Sequence, residues 1–169
     1  MRDGINKAAR LVINYCLDKG IGTIIFGWNK EQKQNCQLGN NTQAFVQIPI
    51  ARLKNRIAQL CEQYALIFEE INEAYTSKSS YLDGDLIPLY GEKPDGYQFS
   101  GKRIKRGLYK SKNAILVNAD IQAAANLLRR FQLKVNTISL EKVSRGSLMC
   151  LMKIKLFMPA KKKNLSFSA

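Results

Sequence analysis

Two short apolar runs, separated by a segment of helical periodicity, constrain the fold of this chain more than any other feature. Residues 23–26 (TIIF) form the first run, which is β-branched and ended by Gly27. Residues 65–68 (ALIF) form the second run, which continues towards Ile71. Between them, residues 50–64 carry apolar side chains three and four positions apart, which is the spacing of one helix face. The order of strand, helix and strand predicts a βαβ unit with two parallel strands and a right-handed crossover.

Further helical patterns flank this unit. Residues 4–19 predict an amphipathic helix, with Asp3 as a candidate N-cap and Gly20 as a candidate C-cap. A third apolar run, residues 114–117, leads into a helix whose apolar positions extend from Ile121 to Phe131. The pattern of residues 147–157 fits either a late strand or an amphipathic segment.

Two carboxylates occupy positions where predicted strands end. Glu73 follows the second apolar run, and Asp120 lies where the third run gives way to an alanine-rich helix. Because functional groups of α/β sheets gather at the carboxyl ends of parallel strands, we expect Glu73 to lie at that edge, beside Trp28 and Asn29. Each carboxylate has a plainer interpretation: Asp120 could cap its helix, and Glu73 could be an exposed loop residue.

The charge of the chain is unevenly distributed. The net charge is +14, yet residues 1–101 carry 11 Lys and Arg against 11 Asp and Glu. Residues 102–169 carry 16 Lys and Arg against 2 Asp and Glu. Such an excess predicts a polyanionic partner, with nucleic acid the first candidate and an anionic membrane the second.

Other features limit the class of protein. The chain has four cysteines without a CxxC pair, and it has no histidine, so no structural zinc site is expected. Cys16 and Cys61 fall on apolar helix faces and are predicted core residues. No apolar run is long enough to cross a membrane, and no signal region is evident, so we expect a cytoplasmic protein without a membrane partner.

Five separate blocks of the sequence resemble the TnpB/OrfB family of transposon-encoded, RNA-guided nucleases. They are residues 27–34 (GWNKEQKQ), 41–49 (NTQAFVQIP), 75–80 (YTSKSS), 99–109 (FSGKRIKRGLY) and the NAD sequence at 118–120 with its alanine-rich helix. The blocks occur in the family's order along nearly the whole chain.

The resemblance implies an α/β chain with a partial RuvC-like, RNase H-like fold: a parallel βαβ core, a long insert loop and a C-terminal helix. Family members cut DNA with divalent metal ions, for which Mg²⁺ is expected, held by an Asp, a Glu and an Asp. The last aspartate maps onto Asp120. Many members carry the glutamate at the end of the strand that leads here to Trp28. In some branches it precedes the Tyr-Thr-Ser block instead, and Glu73 occupies that place. Glu73 and Asp120 are therefore the predicted catalytic and metal-binding residues.

This sequence departs from the family pattern in two ways. The family's first aspartate lies on an early strand, and nothing here matches it, so we expect a C-terminal fragment whose missing N-terminal half could be a separate chain. Many relatives carry a zinc ribbon after the Tyr-Thr-Ser block. Here Ser79, Ser80 and Ser100 lie in segments without cysteine, so no zinc is expected.

The resemblance and the charge together predict DNA and guide RNA as partners. We expect residues 1–145 to be the C-terminal part of a RuvC-like domain with a basic insert at about 74–113, and residues 146–169 to be a basic tail. Phe99 is a further candidate for stacking on bases. The predicted nucleic-acid-binding residues are Lys33, Lys78, Lys102, Arg103, Lys105, Arg106, Tyr109 and Lys110.

The expected function is that of a transposase-associated RuvC-like endonuclease domain that binds nucleic acid but does not cut it alone. A noncatalytic nucleic-acid-binding remnant that regulates its parent transposase is the alternative. A degraded reading frame without a role is a third possibility, and it predicts poor folding in isolation because missing strands leave an open sheet edge.

Overall fold

The computed structural model describes residues 2–29, 50–135 and 145–149. Within these residues the predicted helices and apolar strands are present, and a short hairpin that the sequence pattern did not reveal is added. The elements in chain order are α1 (Arg2–Asp18), β1 (Thr23–Gly27), α2 (Ile50–Gln63), β2 (Ile67–Ile71), β3 (Lys102–Lys105), β4 (Leu108–Lys110), β5 (Leu116–Asn118), α3 (Ala119–Val135) and α4 (Arg145–Met149).

The predicted parallel βαβ core is confirmed. Strands β1 and β2 pair in parallel, from Thr23 opposite Ile67 to Gly27 opposite Ile71. One further hydrogen bond, from Trp28 N to Ile71 O at 2.8 Å, extends the ladder past the end of β1. Both strands therefore end at the same edge, and Glu73 follows directly.

The β1–β2 sheet lies between helices on its two faces. Phe26 and Phe68 pack on the core of α1 and α2, which is formed by Ala9, Ile13, Ile57, Leu60 and Cys61. Neighbouring residues of a strand point to opposite faces, and Glu69 accordingly pairs with Lys134 of α3 at 3.4 Å. Helices α1 and α2 thus cover one face and α3 covers the other.

Helices α1 and α2 end in different ways. Gly20 has a φ of +63°, and Ile21 N donates to Cys16 O at 2.8 Å, so the predicted glycine C-cap of α1 is present. At the end of α2 the left-handed residue is Ala65, with a φ of 53°, and Leu66 N donates to Cys61 O at 2.9 Å. The apolar run had suggested that Ala65 begins the second strand. In the structure Ala65 instead ends α2, and β2 begins at Ile67.

Strands β3, β4 and β5 form a separate antiparallel sheet. It packs with α3 and α4 around a second core of Tyr109, Val117, Ala119, Ala125 and Leu148. This sheet lies mostly inside the insert at 74–113, for which the sequence pattern predicted little structure. In the predicted late segment at 147–157, residues 147–149 belong to α4, and the remainder lies outside the described residues. Cys36 and Cys150 also lie outside the described residues.

The insert is held together by buried polar groups. The carboxylate of Asp85, a residue only 6% exposed, accepts hydrogen bonds from Ser80 N at 2.8 Å, Ser100 N at 2.9 Å and Ser100 Oγ. Asp83 Oδ2 accepts from Ser80 Oγ and from Lys112 N. Two carboxylates thus cross-link three segments of the insert.

Cys16 and Cys61 are buried free thiols, as predicted, and burial raises the pKa of both. Over the described parts of the chain, none of the helices has the length and apolar character needed to cross a bilayer.

Candidate metal and nucleic-acid site

Glu73 is fixed by the turn that follows β2. Its carbonyl oxygen accepts hydrogen bonds from Thr76 N at 3.2 Å and from Thr76 Oγ1 at 2.9 Å. On its other side, Ala74 N donates to Asn72 Oδ1 at 2.8 Å. Tyr75 has a φ of 59°, a strained backbone conformation for a residue with a bulky side chain. The turn therefore holds Glu73 at one defined point of the sheet edge.

The carboxylate of Glu73 is half-buried, and among the described residues it has no hydrogen-bond or ion-pair partner. A side chain at Gly27 would come within 3.2 Å of Glu73 Oε2 and 2.8 Å of Leu127 Cδ1. The acid therefore lies in the narrow space between the end of β1 and helix α3. Loss of surrounding water raises its pKa. It is consequently not the plain exposed loop residue that the sequence also allowed.

Asn126 of α3 holds the loop that follows Glu73. Its side chain is fully buried, and Nδ2 donates to Thr76 O at 2.9 Å and to Ser79 O at 2.6 Å. The oxygen of Gln122, one turn earlier, accepts from the same nitrogen at 2.8 Å. Neither amide was predicted to belong to the site, because an Asn or Gln within a helix has no sequence pattern that reveals distant partners.

Arg130 supports the same loop from the next turn of α3. Its guanidinium donates to the carbonyl of Asn72, to Ala74 O at 3.1 Å, and to Ile87 O and Pro88 O at 2.8 and 2.9 Å. Burial lowers the pKa of Arg130. The arginine thus clamps the backbone on both sides of Glu73 and acts as a positioning residue.

Asp120 lies in the first turn of α3, but it is not the cap of the helix. Asn118 Oδ1 accepts hydrogen bonds from the backbone N–H groups of Asp120 and Ile121, each at 3.0 Å. The alternative interpretation of Asp120 as the N-cap is therefore wrong. Its carboxylate is 72% exposed and reaches the guanidinium of Arg103 at 3.4 Å. A contact of this length between exposed groups contributes little to stability, so the carboxylate is available to a ligand.

Asp120 and Leu127 lie along the same face of α3. Leu127 follows Asp120 by seven residues, which is almost two whole turns of a helix, or about 10 Å along the helix axis. A side chain at Gly27 would contact both Leu127 and the Glu73 carboxylate, so Glu73 lies close to the Leu127 turn of this helix.

The predicted basic residues of the insert are concentrated beside Asp120. Lys102, Arg103, Lys105 and Lys110 are exposed on the β3–β4 hairpin, and Arg106 is exposed in its turn. Lys102 lies directly opposite Lys110 in the antiparallel register. Like charges at such a pair repel each other, and a polyanion would relieve this repulsion. Because Arg103 contacts Asp120, the basic hairpin and the carboxylate belong to one surface.

Tyr109 does not fit its predicted role. The ring is only 1% exposed, and its hydroxyl donates to Lys78 O at 2.9 Å, so it cannot offer a face to a base. Desolvation, the largest cause, raises the pKa of Tyr109 to about 12. A β-strand residue next to a lysine, as Tyr109 is next to Lys110, can still point inwards, because side chains alternate between the two faces of a strand. The prediction that Tyr109 contacts nucleic acid is therefore wrong, and Tyr109 is a core residue.

The other predicted contacts lie in different places. Lys78 is exposed and its ammonium lies 5.7 Å from the centre of the Tyr75 ring. Phe99 packs between Tyr75 and Tyr97, with ring centres 5.9 and 5.3 Å apart. These three aromatic residues are half-buried, so only part of each ring is accessible to a ligand. Lys33 lies outside the described residues.

The donor types suit a hard divalent cation. Glu73 and Asp120 offer carboxylate oxygens, the ligands that Mg²⁺ prefers, and Glu73 has an unpartnered carboxylate in the described structure. Among residues 2–29, 50–135 and 145–149, no cluster of three or more His, Cys, Asp or Glu side chains is close enough to hold a metal. These two carboxylates are thus suitable metal ligands but do not by themselves form a three-acid site.

Comparison with known proteins finds likeness among solved structures and none in sequence. No family model matches the chain, and no curated protein matches it in sequence. Among solved structures, the chain is similar to Cas12f1 in a cryo-EM structure of its complex with sgRNA and target DNA, at 20% identity and a TM-score of 0.47. The match covers 73% of this chain and 32% of that protein, so this chain spans about a third of its length.

Proposed function

We propose that the chain is a RuvC-like nuclease module of the TnpB/OrfB type, in which Glu73 and Asp120 are metal ligands. The observation that carries the proposal is the Glu73 carboxylate, which is half-buried without a partner at the shared end of two parallel strands. A buried charge without a counterion is costly in a folded protein. A carboxylate whose pKa is raised by burial, at the carboxyl end of parallel strands, is a candidate functional group, and a bound cation would compensate its charge.

Each residue of the site has a distinct role in this proposal. Glu73 binds an ion from the sheet edge, while Asn126 and Arg130 hold the loop that carries it. Asp120 binds from the start of α3, where Asn118 has already satisfied the helix cap. When bound, divalent ions would activate a water molecule and stabilise the leaving oxygen of a phosphodiester.

The basic hairpin supplies the nucleic-acid contacts of the proposal. Lys102, Arg103 and Lys110 would hold phosphates next to Asp120, so that a strand bound there passes the metal ligands. DNA as the substrate and guide RNA as a partner are proposed from the resemblance of the sequence blocks. The third carboxylate, an aspartate in the family pattern, matches no residue of this sequence. We therefore propose that this chain binds nucleic acid but does not cut it alone.

Metal binding by the two acids can be measured without cleavage. Titration calorimetry with Mn²⁺ and Mg²⁺ is expected to show binding to the unmodified chain, and Glu73→Gln or Asp120→Asn is expected to weaken it about tenfold or more. Asp95→Asn, an exposed acid of the insert, is the matched control and should leave binding unchanged. Equal affinities in all four proteins would contradict the assignment of both ligands.

Cleavage is tested separately on labelled single-stranded DNA and on plasmid. The chain with Mg²⁺ or Mn²⁺ is expected to leave both intact. Addition of a family N-terminal polypeptide that carries the early aspartate is expected to produce cleavage, which Asp120→Ala abolishes. Robust cleavage by the chain alone, abolished by Asp120→Ala, would retain the nuclease assignment but overturn the need for a partner.

A noncatalytic nucleic-acid-binding protein that regulates its parent transposase is the second candidate. The exposed Lys102–Lys110 pair favours it, because this surface needs no metal to bind phosphate. Salt-dependent binding of DNA or RNA that Lys102→Gln weakens, together with no metal binding at Glu73, would support this second function and not the first.

A further inference from the structure

A groove between α1 and α2 lies on the sheet face opposite α3. One part has a volume of about 610 Å³ and is lined by Ile5, Asn6, Arg52, Asn55, Arg56 and Gln59. Past Asn6 and Arg56 a second part, of about 930 Å³, lies beside Arg10, Asn14 and Tyr15. The two parts share Asn6 and Arg56, so they form one continuous depression along the helix pair.

The centre of this groove carries positive charge that no acid balances in the described structure. Arg52 and Arg56 are one turn apart on α2, where like charges repel each other. Within the described residues neither has a carboxylate at ion-pair distance, and the one hydrogen bond made by Arg56 reaches Gln59 Oε1 at 3.3 Å. The Nε atom of Arg56 is buried without an acceptor. A buried donor of this kind calls for an explanation.

The rim of the groove differs from its centre. Lys7 pairs with Asp3 at 2.8 Å, and Lys19 pairs with Asp18 at 3.2 Å. Acids therefore pair with Lys7 and Lys19, whereas Arg10 contacts Tyr64, and the described residues form no ion pair with Arg52 or Arg56. The groove lies within residues 1–101, whose Lys and Arg equal their Asp and Glu in number. The charge distribution along the sequence therefore predicted a nucleic-acid-binding surface only in residues 102–169.

The lining groups match an anion with several oxygens, such as a phosphate, better than a neutral ligand. Arginine presents a planar fork of donors that fits phosphate oxygens, and the carboxamides of Asn6, Asn55 and Gln59 can supply further N–H groups. The groove continues from these arginines to Tyr15, whose ring is 44% exposed and could stack on a base. A continuous ligand with regularly spaced phosphates and flat rings fits this arrangement.

We propose that the α1–α2 groove is a second nucleic-acid-binding surface, in which Arg52 and Arg56 hold the phosphodiester backbone. Because it lies on the face of the β1–β2 sheet away from α3, it is separate from Glu73, Asp120 and the basic hairpin. The proposal does not rest on metal binding by those acids. The surface gives the chain two sides on which to hold nucleic acid, with the parallel sheet between them.

The experiment uses the full chain and fluorescence anisotropy with labelled single-stranded RNA, single-stranded DNA of the same sequence and duplex DNA. The double variant Arg52→Gln with Arg56→Gln is expected to bind at least one of these probes about tenfold more weakly. The slope of log affinity against log salt should fall by about 1.5, since each lost phosphate contact contributes roughly 0.7 to 0.9. The probe with the largest loss identifies the nucleic acid that occupies the groove.

Two controls separate a site from an effect of net charge or of folding. Lys93→Gln with Lys134→Gln removes the same charge outside the groove and should change affinity less than twofold. The groove variant should keep or raise the Tm, because the substitution removes the repulsion between the two arginines. A variant with Arg52→Lys and Arg56→Lys, which keeps the charge but not the planar fork, should bind with intermediate affinity. Equal losses in the groove and control variants, or unchanged affinity of the groove variant for all three probes, would overturn the proposal. Metal binding at Glu73 should be unaffected, which distinguishes a failure here from a failure of the proposed nuclease function.

Discussion

Two regions of this molecule are stabilised in different ways. The first, between α1, α2 and the β1–β2 sheet, consists of aliphatic and aromatic side chains such as Ile13, Leu60 and Phe68. The second region, which comprises the insert and α3, has an apolar core of its own but adds buried polar groups such as Asp85 and Asn126. Apolar packing is tolerant of small changes in shape, whereas a buried hydrogen-bond network is costly when one member is lost. The comparison predicts different responses to conservative substitution in the two regions.

The largest effect is expected at Asp85. Asp85→Ala removes the acceptor for Ser80 N, Ser100 N and Ser100 Oγ, and buried donors that lose their partner cost about 1–3 kcal/mol each, though not additively. We expect the free energy of unfolding to fall by about 4 kcal/mol, measured by urea denaturation. Asp85→Asn keeps the shape but replaces one acceptor oxygen with a donor, and it should recover less than half of the loss. Full recovery by Asn would show that shape and not hydrogen bonding holds the insert.

A somewhat smaller effect is expected at Leu60 in the apolar core. The side chain is fully buried, and Leu60→Ala should lower the free energy of unfolding by about 3 kcal/mol through lost burial and a residual cavity. Leu60→Met should cost less than about 1.5 kcal/mol, because the volume is conserved. If Leu60→Met proved as damaging as Leu60→Ala, the tolerance assigned to this region would be wrong.

The same difference explains which parts of the fold the sequence could predict. The βαβ unit was predicted because the apolar run at residues 23–26 is short and β-branched, and because Ile57 and Leu60 belong to a helical repeat. The β3–β4 hairpin was missed, because residues 102–105 are exposed on both faces and show no apolar alternation. Hydrogen bonds such as that from Asn126 to Thr76, 50 residues apart, leave no periodic trace in the sequence.

The candidate site was likewise predictable in part. The apolar runs placed Glu73 at the end of a strand, and the resemblance of the sequence blocks selected Glu73 and Asp120 among the 13 acids of the chain. Three-dimensional structure was needed to show that Asn118 caps α3, that Glu73 has no described partner, and that Tyr109 is buried. Each of these depends on contacts between segments distant in sequence.

Glu73 lies where the two regions meet, and its substitution should stabilise the protein. Because the folded state raises the pKa of Glu73, it binds the proton more tightly than the unfolded chain, and stability falls as pH rises from the ordinary value of 4.5 through the folded pKa. Glu73→Gln should therefore raise the free energy of unfolding at pH 7 by on the order of 1 kcal/mol, the size typical of one stabilising substitution. The gain should disappear below pH 4, where both states carry a protonated acid.

Thermal unfolding of the two proteins from pH 4 to pH 8 measures this difference. Glu69→Gln, which removes an acid that pairs with Lys134 near the surface, is the control and should not stabilise at neutral pH. A stabilisation by Glu73→Gln that is the same at pH 4 and pH 7 would show that burial of the charge is not its cause.

The smallest expected effect concerns the backbone of the apolar region. Ala65 ends α2 with a φ of 53°, a left-handed conformation in which glycine has no steric penalty and alanine does. Ala65→Gly should raise the free energy of unfolding by about 0.5 kcal/mol, since relief of strain exceeds the added entropy of the unfolded glycine. Gly20→Ala, at the corresponding end of α1 with a φ of +63°, should have the opposite sign. Urea denaturation of both variants tests the pair. Changes of the same sign would show that backbone strain at the helix ends does not determine the stability of this region, which would leave side-chain packing as its main determinant.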